Sequence, residues 1–239
     1  KQIDLDAIGH NLRVLKSLTT AGTSIMAVVK ADGYGHGAVR IAETALANGA
    51  DRLAVARFHE ALELREAGIT APILILGYTR DDEIDLLMAH DFTFTVFDLE
   101  SAQILSKKAV AKGGTVKAHL KIDTGMGRLG ILPDARRRDP GVKGEAVAEV
   151  AAIAALEGLE LEGIFTHFAA SDSMDKTYAA YQYDIFTGFI GELKALGIEF
   201  PLVHGANSAA IMEMPQAHFN MVRAGIAMYG LAPSSEVKM

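Results

Sequence analysis

Ala27-Val28-Val29-Lys30-Ala31-Asp32-Gly33-Tyr34-Gly35-His36-Gly37 joins an apolar run to one lysine and then to a glycine-punctuated polar turn. The run from Ser24 to Val29 is short, β-branched and bounded by turn signals, the character of a strand buried on both faces in a parallel sheet. Lys30 is thereby placed at the strand's C-terminal end, where parallel α/β folds carry their chemistry. A lysine partly withdrawn from water favours its neutral amine, the form that attacks a carbonyl to make a Schiff base. Taken alone, such a lysine is better explained as a side chain reaching from a strand end into solvent. The other strand ends decide between the two readings.

Working outward, strand-like and helix-like segments alternate with little between them. Apolar strand candidates cover 24–30, 52–56, 72–77, 92–97, 115–123, 159–167, 202–206 and 221–224. Helical patterns fill 36–48, 59–67, 81–90, 99–112, 144–156, 175–196 and a short 208–214. A further helix over 4–17 precedes the first strand, with Leu5, Ile8, Leu12 and Leu15 on one face. Asp98 suits an N-cap, and Gly49, Gly68, Gly113 and Gly197 sit where helix C-caps belong. The alternation predicts an α/β fold, a closed (β/α)8 barrel of the TIM type, as a single domain over 1–239. Its N-terminal helix would complete the outer ring after the eighth strand. A doubly wound open sheet is the alternative. It is weakened by the even spacing of the strands and by Gly33-x-Gly35-x-Gly37, which lacks the G-x-G-x-x-G form and a following acidic residue for ribose.

Half of the 239 residues are apolar and 22% are charged, a globular composition rather than a disordered one. A net charge of −7 opposes nucleic acid and anionic lipid as partners. The lack of cysteine excludes disulfides, thiolate metal sites and thiol nucleophiles, and no metal site is expected. No apolar stretch reaches membrane-spanning length, and Lys-Gln-Ile-Asp-Leu-Asp is no signal peptide. A cytoplasmic location is the expectation, with a processed or trimmed start in place of an initiator methionine. The irregular 133–144 stretch carries Arg136, Arg137 and Arg138, most simply a solvated loop and secondarily a phosphate patch.

The remaining strand ends carry matching chemistry. The fifth runs into Lys121-Ile122-Asp123-Thr124-Gly125-Met126-Gly127-Arg128-Leu129-Gly130, where Arg128 offers a rigid fork of donors. Lys121 and Asp123 share a strand face, which allows a simple salt link. The sixth ends at Thr166-His167-Phe168 and the seventh at His204-Gly205-Ala206-Asn207-Ser208, directly before a short helix. That helix start, with the Ser208 hydroxyl, is suited to an anion. The eighth ends at Arg223-Ala224-Gly225-Ile226, where Gly225 permits close backbone approach. Each residue has an ordinary explanation: Arg128 a loop arginine, His167 a satisfied core histidine, Asn207 and Ser208 helix caps. Arg223 is harder to dismiss, since arginine is rarely buried unpaired. Their convergence on one barrel mouth weighs against coincidence. A lysine for an aldehyde, a helix end for a phosphate and arginines for ring heteroatoms describe a pocket for pyridoxal 5′-phosphate.

The segment from Val28 to Gly37 resembles the cofactor-lysine signature of bacterial alanine racemases. The likeness continues through 121–130, Gly163-Ile164-Phe165-Thr166-His167-Phe168-Ala169, 204–210 and 222–230, and covers essentially the whole chain in order and spacing. It implies a PLP-dependent isomerase that interconverts L- and D-alanine, supplying D-alanine for peptidoglycan, on a barrel followed in the family by a β-rich C-terminal domain. Residue by residue, Lys30 would bind the coenzyme aldehyde and then act as the base on one face of the α-carbon. Tyr34, Ser208 and the amides of Gly225 and Ile226 would hold the phosphate, with Asn207 shaping that end. Arg223 would meet the pyridine nitrogen, and Arg128 the ring's phenolic oxygen and the substrate carboxylate. Lys121 resembles a lysine many members carry as a carbamate, which would orient Arg128. His167 would link Arg223 to the opposite base, making Lys30, Arg128 and His167 the catalytic set.

In the family that opposite base is a tyrosine of the C-terminal domain, delivered across a homodimer interface. None of the tyrosines at 34, 78, 178, 181, 183 and 229 matches it, so the resemblance implies the cofactor-binding barrel of a racemase without its second base. Three alternatives remain at this point: a single-domain protein that handles the coenzyme without racemising, a purely structural fragment, and a serine racemase of the same family.

Overall fold

The structure, a computed structural model, describes residues 2–136 and 144–237. Arg137 and Arg138, and with them most of the 133–144 stretch, lie outside the described residues; Asp134–Arg136 forms a 3-10 turn. Parallel strands β1 (Ser24–Val28), β2 (Arg52–Val55), β3 (Ile73–Ile75), β4 (Thr93–Val96), β5 (Val116–Lys121), β6 (Leu159–Phe165), β7 (Leu202–His204) and β8 (Met221–Ala224) pair in chain order. The pairing of β1 with β8, Met26 opposite Arg223 and Ala27 opposite Ala224, closes the barrel. This is the architecture expected from the alternation of apolar runs, and the open-sheet alternative is excluded.

Helices α1 (Leu5–Leu18), α3 (Ala38–Ala47), α4 (Phe58–Glu66), α5 (Asp81–Met88), α6 (Leu99–Ala111), α7 (Glu145–Ala154) and α8 (Thr177–Ala195) form the outer ring. Short α9 (Ser208–Glu213) follows β7, and a 3-10 helix, η3 (Ile226–Tyr229), follows β8. The ring position after β8 is taken by α1, which packs against α3, η3 and α9 and buries Ile8, Leu12 and Leu15. Asp98 caps α6 by accepting from the Ser101 amide at 2.7 Å, as its position in sequence suggests. Gly49, Gly68, Gly113 and Gly197 each take the positive φ that ends a helix cheaply.

Two boundaries differ from expectation. The first strand stops at Val28, and Lys30 opens a separate turn, α2 (Lys30–Gly35), instead of ending the strand. The next helix accordingly begins at Ala38 rather than at His36. The cause is a left-handed excursion that a periodicity argument does not detect.

The barrel interior divides into two halves. Met26, Val28, Ala54, Leu74 and Met221 fill one side as an apolar cluster. The side lined by β4 to β8 is polar, with Thr93, Thr95, His119, Lys121, His204 and Arg223 all buried. Between Ala118 and His119 the β5–β6 register shifts, and Glu162 is the extra residue. Such a bulge re-aims a side chain, here into the barrel.

Because α1 seals the ring through fully buried Leu12, Leu12→Ala is expected to destabilise the fold by about 2–5 kcal/mol. Val14→Ala on the exposed face should change it by less than about 0.5 kcal/mol. Equal denaturation midpoints for the two variants would mean that α1 does not seal the barrel.

Candidate active site

The C-terminal ends of the strands open into a cavity of about 860 Å3. Lys30, Tyr34, Lys121, Arg128, His167, Asn207, Ser208, Arg223, Gly225 and Ile226 all line it, so every site residue expected from sequence is brought to one place.

The lysine reaches the cavity through an unusual turn. Ala31, Asp32, Gly33 and Tyr34 all take left-handed conformations, with φ from 52° to 56°. For residues other than glycine this costs about 1–2 kcal/mol each and persists only where the surroundings hold it. The Asp32 carboxylate accepts from the Ala38 amide at 2.8 Å, and the Asp32 carbonyl accepts from the His36 and Gly37 amides. Glu60, in the first turn of α4, accepts from the Ala31 amide at 2.7 Å through one oxygen. Its other oxygen accepts from the Ala56 and Arg57 amides. The reversal places the Lys30 ammonium 5.8 Å from the Tyr34 ring centroid, with both side chains on the cavity wall.

At one end of the cavity lies an anion cradle. The Ser208 hydroxyl oxygen accepts from the Gly225 and Ala227 amides at 3.2 Å each. A Cβ on Gly225 would lie 3.3 Å from the Tyr34 hydroxyl and 3.7 Å from the Ser208 hydroxyl, so the glycine keeps this space open. Ser208 and Ile226 are the first residues of α9 and η3, and their amides have no intrahelical acceptor. Asn207 is one step removed. Its side-chain oxygen caps α9 through the Ala210 amide at 3.1 Å and accepts from the Ser171 hydroxyl at 2.8 Å.

Arg223, in β8, also lines the cavity. Its Nη2 donates to the carbonyls of Thr166 and Gly205 and to His167 Nδ1, and its Nη1 donates to His204 Nδ1. The Nε–H has no protein acceptor among the described residues. Burial lowers the Arg223 pKa to about 9, which leaves it a cation at neutral pH. Burial, and then Arg223, hold His167 down at about 3, so its imidazole is neutral and its Nδ1 accepts.

Lys121 and Arg128 complete the wall. The Asp123 carboxylate accepts from the Gly125, Gly127 and Arg128 amides at 3.0, 3.0 and 3.1 Å, which folds the loop bearing Arg128. Its oxygens are thus engaged with the loop, in place of the Lys121–Asp123 salt link the sequence allows. Lys121 is lowered to about 8, chiefly by burial and then by Arg128 and Arg223. Lys30 is lowered as well, by burial first and Arg128 second, against an opposing contribution from Glu60. The cavity is therefore cationic and partly desolvated, with a separate hydrogen-bonding cradle at one end. This donor set fits a ligand with a phosphate, a ring oxygen and an aldehyde.

Sequence reasoning did not find Glu60, nor His119 and Glu162 beneath Arg223. The Lys117-x-His119-x-Lys121 alternation, three polar residues on one face of an otherwise apolar strand, was the available signal.

The model for the N-terminal domain of alanine racemase matches residues 3–233. The alanine racemase of Desulfosudis oleivorans is 51% identical over 236 residues, 99% of this chain and 60% of that protein. That of Methanococcus maripaludis is 48% identical over 236 residues, 99% of this chain and 61% of that protein. The solved alanine racemase of Clostridium difficile 630 in complex with cycloserine superposes with a TM-score of 0.93 at 41% identity, covering 98% of this chain and 62% of that one. The chain thus spans about three fifths of the length of the curated relatives it matches. Among the described residues, no helix is long and apolar enough to cross a membrane.

His119 and His167 are both held at about 3, and His204 well below its ordinary value. The unfolded chain binds more protons than the folded one between about pH 3 and 6.5, so stability is full above that window and falls on acidification through it. The limiting slope for three imidazoles is about 4 kcal/mol per pH unit. Urea midpoints measured from pH 7.5 to 5 should fall steeply, and less so for His167→Gln; a flat profile would contradict the buried neutral imidazoles.

Proposed function

Because the chain belongs to the alanine racemase N-terminal domain family, we propose that it is the coenzyme-binding barrel of an amino-acid racemase, holding pyridoxal 5′-phosphate and moving the α-proton of alanine from one face. One observation carries this reading: the Lys30 amine, the Tyr34–Ser208–Gly225 cradle and the Arg223 guanidinium line a single cavity. When bound, the coenzyme supplies an aldehyde that captures amines and a conjugated ring that withdraws electrons from the α-carbon.

Lys30 would hold the coenzyme through its Nζ, by condensation with the aldehyde and loss of water, and its free Nζ would be the base that takes the α-proton. Its lowered pKa favours the neutral amine needed for both roles. Tyr34, Ser208 and the amides of Gly225 and Ile226 hold the phosphate, and Asn207 fixes the helix start that presents Ser208. Arg223 would meet the ring nitrogen with a donor that cannot take up a proton, so the group held there would supply a weaker electron sink, one that favours simple proton exchange over transamination. Arg128 neutralises the ring oxygen and the substrate carboxylate. The Lys121 ammonium gives up one proton, its neutral Nζ then takes up carbon dioxide with loss of a second, and a surplus cation becomes an anion that orients Arg128. His167 ties Arg223 to the far side of the site.

Racemisation needs a second acid–base group on the opposite face. The resemblance assigns it to a tyrosine in the part of the relatives that these residues do not span. Homodimerisation, a cytoplasmic setting and D-alanine supply belong to the same proposal, as does alanine over serine, which rests on the relatives' names.

Adding pyridoxal phosphate should produce a visible absorption band that Lys30→Ala loses; a band that survives would overturn the lysine assignment. In deuterium oxide, the 239-residue chain should exchange the α-proton of D-alanine much faster than that of L-alanine. Equal fast exchange from both would show that a second base is already present. Ser208→Ala should weaken pyridoxal phosphate binding by about ten- to a hundredfold, the loss of hydrogen bonding to a charged group, and leave pyridoxal unaffected.

A further inference from the structure

We propose that a column of polar side chains through the barrel, Glu162–His119–His204–Arg223, fixes the direction of Arg223's donors and makes His119 and His204 positioning residues for the coenzyme ring nitrogen. The His119–His204–Arg223 part of the column follows from the hydrogen bonds below, and Glu162 lies beneath it at ion-pair distance. Its role toward the ring rests on the reading given above, in which Arg223 meets that nitrogen.

Arginine offers only donors. The 2.7 Å contact from Arg223 Nη1 therefore makes His204 Nδ1 an acceptor and puts the His204 proton on Nε2. That N–H meets His119 Nδ1 at 2.8 Å, which must accept in turn, so the His119 proton also sits on Nε2. His119 Nε2 is buried, has no hydrogen-bond partner among the described residues and lies 3.9 Å from the Glu162 carboxylate. Glu162 is itself held by Arg52 at 3.2 Å and by the Thr93 hydroxyl at 3.3 Å. The column thus runs from an ion pair near the start of β2 to the cavity wall, with a single sense of proton placement. Reversing either imidazole would set N–H against N–H.

The surrounding structure is shaped to hold these rings. A Cβ on Gly163 would lie 2.8 Å from His119 Cε1 and Nδ1, so the glycine makes room for that imidazole. The bulge at Glu162 turns its carboxylate inward beneath His119. Phe165 stacks on His204 at 4.7 Å with an interplanar angle of 4°. Closing the barrel does not demand polar filling, since Met26, Val28, Ala54, Leu74 and Met221 fill the other half without it. Apolar residues of similar volume are commonly as stabilising as buried polar networks. What the column supplies is direction: the bonds from Nη1 and Nη2 fix the plane of the guanidinium, and with it the way Nε–H and the second Nη1–H face.

Long-range 1H–15N correlation on the 15N-labelled protein, without coenzyme and near neutral pH, reads the tautomers directly. Protons on Nε2 of both His119 and His204 are expected; a proton on Nδ1 of either, or an imidazolium, would overturn the column. With coenzyme, His119→Leu removes the acceptor for His204, whereas the side-chain oxygen of His119→Asn can replace Nδ1. The Leu variant should shift the 15N resonance of the labelled coenzyme ring nitrogen and lower kcat for α-proton exchange about tenfold at unchanged KM. The Asn variant should restore both. Indistinguishable Asn and Leu variants with an unmoved ring resonance would refute the positioning role. A wild-type chain that fails to bind coenzyme would overturn that role together with the proposed function, while the tautomer result still decides the column. Should the Leu variant not fold, the ring resonance of Glu162→Gln takes its place; it should shift, and an unmoved resonance again counts against the role.

Discussion

A buried guanidinium with no carboxylate bonded to it, among the described residues, is the constraint on which the rest of this molecule depends. Burying an uncompensated cation is expensive, and Arg223 is tolerated because the barrel supplies acceptors on several sides. The carbonyls of Thr166 and Gly205 and the nitrogens of His167 and His204 are all neutral, so the Nη atoms find acceptors while the charge stays unbalanced. An unbalanced positive charge in a low-dielectric pocket strengthens attraction for an anionic or electron-rich guest. Stability of the fold and affinity of the site are thus set by the same group.

Closure of the barrel delivers the other half of the site to that charge. The Met26–Arg223 and Ala27–Ala224 register places the turn after β1 directly beside Gly225 and Ser208. η3 then folds back so that the Tyr229 hydroxyl donates to the Val28 carbonyl at 2.9 Å, and its ring packs 4.8 Å from that of Tyr34. The lysine turn, the anion cradle and the guanidinium are therefore tied by backbone pairing, reinforced by the Tyr229 side chain. From the far side, Gln182 of α8 holds the end of β6 by donating to the His167 carbonyl and accepting from the Ala169 amide. Such support on rigid elements is what a site needs to keep reacting groups in register.

Residue type and strand-end position carried most of this into the sequence. Eight apolar runs and the glycines after them were enough for the barrel, and Lys30, Arg128, Ser208 and Arg223 were visible because polar residues are unusual at the ends of buried strands. What stayed hidden was conformation and distance along the chain. Hydrophobic periodicity reports faces, not φ, so a left-handed run through Ala31, Asp32 and Tyr34 looked like a strand end followed by a helix start. Glu60 lies 29 residues from the amide it holds, and in sequence it is one more acid on an exposed helix. Glu162 was obscured by the bulge, since strict alternation from Gly163 and Phe165 would point it outward.

Glu83 and Asp172 line the cavity itself, and two further acids serve the backbone around it. Glu60 and Asp123 adjoin a cavity lined by Lys30, Lys121, Arg128 and Arg223, yet the hydrogen bonds of each run to three backbone amides. Glu60 fixes the turn that carries Lys30, and Asp123 fixes the loop that carries Arg128. A carboxylate whose lone pairs serve backbone amides shapes the wall while sparing the cationic heads, which stay available to a ligand. Had these acids instead paired with the lysines, the same net charge would have produced a self-satisfied pocket with little pull on an anion. The site's affinity is a consequence of where its negative charge is employed as much as of where its positive charge is exposed.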